Sequence, residues 1–321
     1  MMTDVPVSRR TALLLGSSAL LGACAKTPEA APAPASTPEA PSPSPSSASP
    51  TPSSASPAPS TPSGSATASG SGSPSATASQ PPLGTGSLVA GKNHNAGAEA
   101  YAFSAKDVHT WLKAGGGPDK KVAFLTFDDG PNTTLTPLML DKLRELGVPA
   151  TFFVIGRLVP QAPQMLKRAI DEGHAVCLHS YSHDYKYLYP GRVGSAKNVG
   201  ADTDKGLAAL KQALGESFKT TGYRYPGGHL SWKKMAGPDQ ELAQRGLWWI
   251  DWNCMSGDAD KAKPSTASGM VGLMASTLTQ KPQAAVVLNH DADPTGRLTL
   301  EALPGMVTWL KNKGYTFGVI A

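Results

Sequence analysis

Residues 122–131 read Val122-Ala123-Phe124-Leu125-Thr126-Phe127-Asp128-Asp129-Gly130-Pro131, an apolar run that ends in two carboxylates and a Gly-Pro breaker. The apolar run predicts a buried strand. Two carboxylates beside hydrophobic chain are costly unless a cation or a reaction uses them. Asp-Asp-Gly is also a common turn sequence, so this stretch alone leaves a plain turn and a chemical site both open.

A pair of histidines, His179 and His183, favours the chemical site. They lie four residues apart, just after another apolar run. One aspartate together with His-x-x-x-His is a three-ligand set suited to a divalent metal. The second aspartate would then be free to act as a base.

The chain from residue 122 onward alternates short apolar runs with amphipathic helices, the first helix having Thr136 as its expected N-cap. Almost continuously apolar strands predict a parallel sheet whose outer face is covered by helices. Residues whose side chains can bind a metal or take part in catalysis lie on or directly after five of the strands. This favours an α/β fold, a distorted (β/α)7 barrel with its metal at the C-terminal rim, over an open doubly wound sheet. The predicted strands are 122–127, 150–155, 174–178, 223–225, 247–253, 284–289 and 315–320.

The N-terminal region is expected to lie outside the fold. Residues 1–24 have a basic start, a short apolar run and the ending Leu21-Gly22-Ala23-Cys24, the pattern of a secretion signal. This ending resembles a bacterial lipobox, which implies lipidation of Cys24, although an ordinary cleaved signal is the alternative. Residues 25–96 are rich in Pro, Ala, Ser and Thr and predict a disordered linker. The folded domain is then expected at 97–321, on a protein anchored to the outer face of the cell membrane.

Composition excludes some functions and leaves one structural question open. The net charge is +5 and the lysines are dispersed, which argues against nucleic-acid binding. A monomer is expected.

Cys177 and Cys254 lie in strand-like runs and could form a disulfide or remain buried thiols. His94 and His109 fall outside the motifs and are expected at the surface.

Five motifs in order resemble the polysaccharide deacetylase family, the NodB-homology domain of carbohydrate esterase family 4. The resemblance covers about Lys120 to Ala321. Within the family, the stretches His183–Tyr185 and Pro226–Trp232 resemble bacterial peptidoglycan N-acetylglucosamine deacetylases. The motifs are Thr126–Pro131, His179–His183, Arg224–Gly228, Asp251-Trp252 and Leu288–His290.

The resemblance implies a role for each motif residue. The metal ligands would be Asp129, His179 and His183, and the ion Zn²⁺ or another divalent cation such as Co²⁺. Asp128 would be the general base, with Arg224 beside it, and His290 the acid that protonates the leaving amine. Asp251 would pair with His290, with Asp258 as the alternative partner. The implied substrate-binding residues are Tyr225, Gly227 (through its backbone N–H), Trp252 and Leu288.

The expected activity is metal-dependent N-deacetylation of a cell-wall polysaccharide, most simply N-acetylglucosamine of peptidoglycan. Chitin oligomers, acetylated xylan or an exopolysaccharide are alternative substrates of the same chemistry. A catalytically silent glycan-binding lipoprotein is the alternative of another class. Such a module has no need for a base, an acid and three ligands, which Asp128, His290 and the predicted metal site provide.

Overall fold

The computed structural model describes residues 80–278 and 282–321. The expected signal, the lipobox at Cys24 and most of the expected linker lie outside these ranges. Among the described residues, no helix has the length and apolarity needed to cross a bilayer. The helices are α1 (Ala105–Ala114), α2 (Thr136–Leu146), α3 (Pro163–Asp171), α4 (Tyr185–Leu188), α5 (Ala196–Leu214), α6 (Ala236–Gln244), α7 (Ala267–Thr277) and α8 (Gly296–Asn312). The strands are β1 (Ala102–Phe103), β2 (Val122–Asp128), β3 (Thr151–Val154), β4 (Ala175–Leu178), β5 (Gly222–Tyr223), β6 (Trp248–Trp249), β7 (Cys254–Met255), β8 (Ala284–His290), β9 (Thr316–Phe317) and β10 (Val319–Ile320).

The central sheet is parallel, and β2 is an inner strand of it. Its strand order is β6-β5-β4-β3-β2-β8-β7, with β9 also paired to β2. Asp128 at the end of β2 lies opposite Phe153 of β3 and His290 of β8. The sheet curls around an apolar cluster to which several strands contribute side chains. This arrangement confirms the predicted distorted (β/α)7 barrel.

The alternation of side chains along β2 decides which residues face the barrel interior. Val122 and Phe124 belong to the interior cluster, whereas Leu125 and Phe127 pack outward in the core beneath the helices. Side chains of a strand alternate between its two faces, so Asp128 shares the interior face with Phe124. The strand therefore delivers Asp128 to the inner rim.

Two of the predicted strands are divided. The expected strand 247–253 contains only β6, because residues 250–253 lead from β6 at one edge of the sheet to β7 at the other edge, where β7 pairs with β8. There Asn253 accepts a hydrogen bond from Val286 N through Oδ1 at 2.8 Å and donates to Ala284 O through Nδ2 at 2.9 Å. The expected strand 315–320 is interrupted at Gly318, so that β9 pairs with β2 and β10 with β1.

The folded domain begins earlier than the predicted boundary at residue 97. Asn93, His94 and Asn95 are almost completely buried. Asn93 Nδ2 donates to Ile320 O at 2.9 Å, and Asn95 Nδ2 donates to Ile170 O at 2.7 Å. Farther upstream, Gln80 bonds the backbone of Phe317. The linker prediction is therefore wrong for residues 80–96, whose polar side chains complete the hydrogen bonding of the domain.

Helix α1 and the two histidines predicted at the surface also correct the sequence interpretation. Ala105 and Val108 of α1 are buried in the interior cluster, so this helix helps to fill the barrel. His109 is buried, with Nδ1 2.7 Å from Trp249 O, and His94 is fully buried.

The two cysteines of the domain are free and buried. Cys177 Sγ lies 3.6 Å from Ile320 O, and Cys254 Sγ lies 3.4 Å from Met274 O. They act as small apolar side chains at separate places in the core, so the disulfide alternative is not realised.

Candidate active site

The first group of site residues is the predicted ligand set. Asp129 Oδ1 lies 3.3 Å from His183 Nε2 and 3.6 Å from His179 Nε2. One ligand atom from each residue lies within 4.8 Å of the others. Asp129 Oδ1 is buried and has no hydrogen-bond partner among the residues that the structure describes. A buried carboxylate oxygen facing two imidazole nitrogens fits a divalent cation, since otherwise it would lose its hydration without compensation.

The protonation of His179 also fits a metal ligand. Its Nδ1 lies 2.8 Å from Arg224 O and donates to it, because a carbonyl oxygen only accepts. The Nε2 lone pair is then directed at Asp129 and His183. Burial, opposed by the charge of Asp129, lowers the pKa of His179 to about 3, so the ring is neutral. A neutral imidazole fixed by its other nitrogen is the form that binds a metal.

The backbone is strained where the ligands leave the strands. Asp129 and His183 have φ values of 76° and 51°, in the left-handed region that side chains other than glycine seldom adopt. Ser180, between the two histidines, has a φ of 61°. Strain of this kind persists where the surroundings enforce it and is concentrated at functional sites.

Asp202 of α5 holds the strained histidine loop. Its carboxylate is buried and accepts hydrogen bonds from two backbone groups, Tyr181 N at 2.6 Å and Ser182 N at 3.1 Å. Ser180 Oγ accepts a third from His183 N at 2.9 Å. These bonds position both histidines before any ligand arrives. Sequence reasoning missed Asp202, which lies in a polar helix with no motif around it.

Replacement of Asp202 by asparagine is expected to weaken metal binding by about tenfold or more, the usual effect of losing a residue that orients a metal ligand. An asparagine oxygen can replace only one of the two carboxylate acceptors. Asp204→Asn is the matched control, because Asp204 lies on the same helix, 60% exposed, and pairs with Arg245 instead. Calorimetric zinc titration compares the two variants. Equal affinities would contradict the role given to Asp202.

Asp128 and Arg224 form a buried ion pair beside the ligand set. Arg224 Nη1 lies 2.7 Å from Asp128 Oδ1, the contact that the sequence predicted, and also donates to Thr126 Oγ1 at 2.7 Å. Arg224 Nε donates to Ile250 O at 2.9 Å. Burial raises the pKa of Asp128, and the charge of Arg224 opposes that rise.

The partner of His290 is Asp258, so the predicted pairing with Asp251 is wrong. His290 Nδ1 lies 2.9 Å from Asp258 Oδ1, and Asp258 Oδ2 accepts from His290 N and Thr299 Oγ1. The reason is topological: Asp258 follows β7, which pairs with β8, whereas Asp251 follows β6 at the other edge of the sheet. The Asp251 carboxylate instead accepts from His229 N at 2.9 Å.

The His290–Asp258 pair is strongly polarised. Burial alone would lower the pKa of His290, but the hydrogen bond and charge of Asp258 outweigh it, and the negative charges of Asp128 and Asp129 add to the effect. The pKa of His290 is therefore raised to about 9. Nδ1 is engaged by Asp258, which leaves Nε2–H as the proton that His290 can donate.

The predicted substrate-binding residues occupy different environments. Tyr225, which was predicted to bind substrate, is fully buried and its hydroxyl donates to Asp239 Oδ1 at 3.0 Å, so its side chain has no access to a substrate. Trp252 is half-buried and packs so closely on Gly228 that a Cβ there would lie 2.8 Å from its ring. Leu288 is 9% exposed. Gly227 has a φ of 77°, in the left-handed region, and its backbone lies close to the ring of Trp232.

Asp291 supports the aspartate loop from beneath and was missed by the sequence analysis, although it directly follows His290. A Cβ on Gly130 would lie 2.6 Å from its carboxylate oxygens, so only glycine fits there. Thr136 donates to Asp291 Oδ2 at 2.6 Å and therefore does not cap α2, whose N-cap is Leu135. Burial, with the charges of Asp129 and Asp128, raises the pKa of Asp291 to about 7.

Comparison with known proteins identifies the family. The polysaccharide deacetylase family model matches residues 115–239. A peptidoglycan-N-acetylglucosamine deacetylase of Bacillus cereus is 35% identical over 203 residues, which are 63% of this chain and 70% of the relative. A chitooligosaccharide deacetylase of Bradyrhizobium is 31% identical over 204 residues, 60% of this chain and 85% of the relative.

A solved structure gives the same answer. A carbohydrate esterase family 4 enzyme of Streptococcus mutans superposes with a TM-score of 0.69 at 40% identity, covering 73% of this chain and 98% of that one. Fold, motif order and sequence similarity agree with one another. The chain therefore belongs to the polysaccharide deacetylases of carbohydrate esterase family 4, hydrolases that act on amide bonds through a NodB-type domain.

Proposed function

We propose that this protein removes the acetyl group from N-acetylglucosamine in cell-wall peptidoglycan and that it uses a divalent cation, zinc or cobalt, held by Asp129, His179 and His183. The observation that carries the proposal is that this ligand set lies on the same rim as the Asp128 carboxylate and as His290, which can donate a proton. The named activity of the Bacillus cereus relative supports the choice of glycan.

The chemistry begins with attack of water on the acetamide carbon. When bound, a divalent cation would lower the pKa of a water molecule and polarise the acetamide carbonyl. Asp128 takes the proton from the attacking water, and Arg224 keeps the carboxylate ionised and oriented. The carbonyl oxygen becomes negatively charged and is stabilised by Gly227 N–H. Trp252 and Leu288 form the walls around the acetyl methyl group.

The second half of the reaction breaks the carbon–nitrogen bond. His290 donates the Nε2 proton to the leaving nitrogen as that bond breaks, which releases acetate and a free amine. Asp258 fixes the ring and stabilises its charged form. We also propose that Cys24 is lipidated and that the Pro-rich residues after it tether the domain at the outer face of the membrane. Such an anchor would hold the domain near the cell-wall substrate.

The pH dependence should report the His290–Asp258 pair. His290 must carry a proton to act as the acid, so kcat/KM is expected to fall as pH rises through about 9. Because this folded pKa lies above the ordinary 6.5, the pair also stabilises the fold fully below pH 6.5, and that stabilisation is lost as pH rises through about 9. Asp258→Asn removes the charge of Asp258 and weakens its hydrogen bond, which should lower the pKa of His290 and move the alkaline limb to lower pH.

Measured pH–rate profiles of the unsubstituted protein and Asp258→Asn check this expectation. Asp260→Asn is the matched control, since Asp260 is exposed two residues away. An alkaline limb at the same pH in Asp258→Asn as in the control would contradict the pairing as the source of the raised pKa.

The proposed function is tested by acetate release from purified wall glycan, chitin oligomers and acetylxylan, each with a chelator and with added zinc. Release from wall glycan that stops with the chelator and returns with zinc is the expected result. The similarity to a chitooligosaccharide deacetylase makes chitin oligomers the second candidate substrate. No acetate from any polymer in the presence of zinc would contradict the proposal and favour a silent glycan-binding protein.

A further inference from the structure

Tyr185 lies beside the candidate active site but has no part in the roles assigned above. It is the first residue of α4, two residues after His183. Asp184 caps this short helix, its Oδ1 accepting hydrogen bonds from Lys186 N at 2.9 Å and Tyr187 N at 3.2 Å. The ring of Tyr185 lies 5.2 Å from that of His183 and 5.2 Å from that of Trp232. The side chain is thus held between the histidine loop and the loop that contains Gly227.

The Tyr185 hydroxyl lies near Gly227, on the side where a side chain would project. A Cβ built on Gly227 would be 3.5 Å from Tyr185 Oη and 3.2 Å from Trp232 Cζ2. Because Gly227 has no side chain, the space between its backbone and the tyrosine hydroxyl remains open. The phenol therefore lies close to Gly227, whose N–H is the proposed oxyanion donor, and beside the ring of His183.

This hydroxyl also lacks a partner in the part of the chain that the structure describes. The hydroxyls of Tyr101, Tyr225 and Tyr315 donate to Gly173 O, Asp239 Oδ1 and Pro282 O, whereas those of Tyr189 and Tyr223 are buried without a partner among the described residues. Tyr185 is 45% exposed, so water can solvate its hydroxyl in the free protein. A sugar entering the site would displace that water, and the hydroxyl would then need an acceptor on the substrate.

We propose that the Tyr185 hydroxyl donates a hydrogen bond to the acetyl oxygen of the substrate, as a second donor beside Gly227 N–H. The inference rests on the proposed deacetylation. The acetyl oxygen gains negative charge as water attacks the carbonyl carbon, so a phenol donor at this place stabilises the transition state more than the bound substrate. Tyr185 is then a catalytic residue that acts on kcat.

Packing is the competing explanation, since the Tyr185 ring contacts His183 and Trp232. Tyr185→Phe keeps the ring and removes only the hydroxyl, so it separates packing from hydrogen bonding. Tyr187→Phe is the matched control: Tyr187 belongs to the same short helix and is 39% exposed. No ring contact joins Tyr187 to His183 or Trp232 in residues 80–278 and 282–321.

The experiment measures kcat and KM for acetate release by the zinc-loaded full chain and its two variants, on N-acetylglucosamine oligomers and on wall glycan. Tyr185→Phe is expected to lower kcat by at least about tenfold on both substrates, toward the ~100-fold that loss of one oxyanion donor causes elsewhere. Its zinc affinity in calorimetry and its KM should match those of Tyr187→Phe.

Three results would overturn the inference. The first is a kcat equal to that of Tyr187→Phe, and the second is a fall in zinc affinity parallel to the fall in kcat, which would indicate a structural role. The third is a raised KM with unchanged kcat, which would place the hydroxyl on another part of the sugar. Absence of acetate release by the unsubstituted protein would contradict the proposed function, and with it this contact, whereas normal release by all three proteins would contradict the contact alone.

Discussion

Asp129→Asn is expected to lose metal binding, whereas its neighbour Asp128→Asn is expected to keep the metal and lose turnover. Asp129 Oδ1 is the buried oxygen that faces His179 and His183, so its replacement removes a charged ligand. Zinc affinity should fall steeply, and a large excess of zinc should restore part of the activity. The two residues are neighbours at the end of β2, so the expected difference between the variants comes from what each side chain contacts.

Asp128→Asn keeps the three ligands and removes the base. Turnover should fall by about 100-fold or more, the usual scale for a positioned acid or base, and excess zinc should not restore it. Loss of a nearby negative charge should weaken the metal far less than loss of a ligand does. Calorimetric zinc titration beside the acetate assay separates the variants. Metal loss in Asp128→Asn with retention in Asp129→Asn would mean that the two roles are reversed.

Arg224→Met is expected to destabilise the domain by about 3–5 kcal/mol, because it leaves Asp128 as a buried charge without a partner. Arg224 has no exposed surface and bonds Asp128, Thr126 and Ile250. Denaturant unfolding measures the loss, and acetate release should fall with it. The double variant Arg224→Met/Asp128→Asn should recover part of the stability, because it carries no buried charge at this place.

Arg245→Met is the control for the arginine substitution. Arg245 forms two ion pairs, with Asp204 and Glu241, but its partners are partly or largely exposed. Ion pairs of that kind contribute about 1 kcal/mol or less each. A destabilisation by Arg224→Met no larger than that of Arg245→Met would contradict the view that the buried pair is required for folding.

The sequence predicted the parts of the fold that depend on long, uniform patterns. The seven residues of β2 are all buried, and a run of this kind can be recognised without knowing its neighbours. Parallel strands bring their C-terminal ends to one rim, so Asp129, His179 and His183 could be predicted to meet. The position of Arg224 beside Asp128, by contrast, was implied by the resemblance to the family and not by the strand pattern.

The errors arose where the path of the chain depended on pairing. Asp251 lies after β6 and Asp258 lies after β7, and only the order of the strands reveals that Asp258 is beside His290. For Tyr225, the sequence interpretation omitted the alternation of side chains along the chain. Arg224 faces the interior, and alternation along an extended chain then turns Tyr223 and Tyr225 outward into the helix-covered core.

Helix α1 was missed although a signal for it was present. Ser104 and Asp107 have the spacing of a helix start, and Ser104 Oγ accepts a hydrogen bond from Asp107 N at 3.1 Å. The contacts of Asn93 and Asn95, by contrast, are made with distant residues such as Ile320 and Ile170. A composition that resembles a linker gives no indication of such partners.

The early start of the domain has a practical consequence for truncation. A fragment cut to the family match would begin at residue 115 and would lack α1, so the apolar lining of the barrel would open to water. A fragment beginning at residue 97 would keep the helix but lose Asn93 and Asn95, and with them the side chains that bond Ile320 O and Ile170 O. We therefore expect the smallest autonomously folding unit to start near Gln80, because the segment that follows it connects the last strand with the third helix through these side chains.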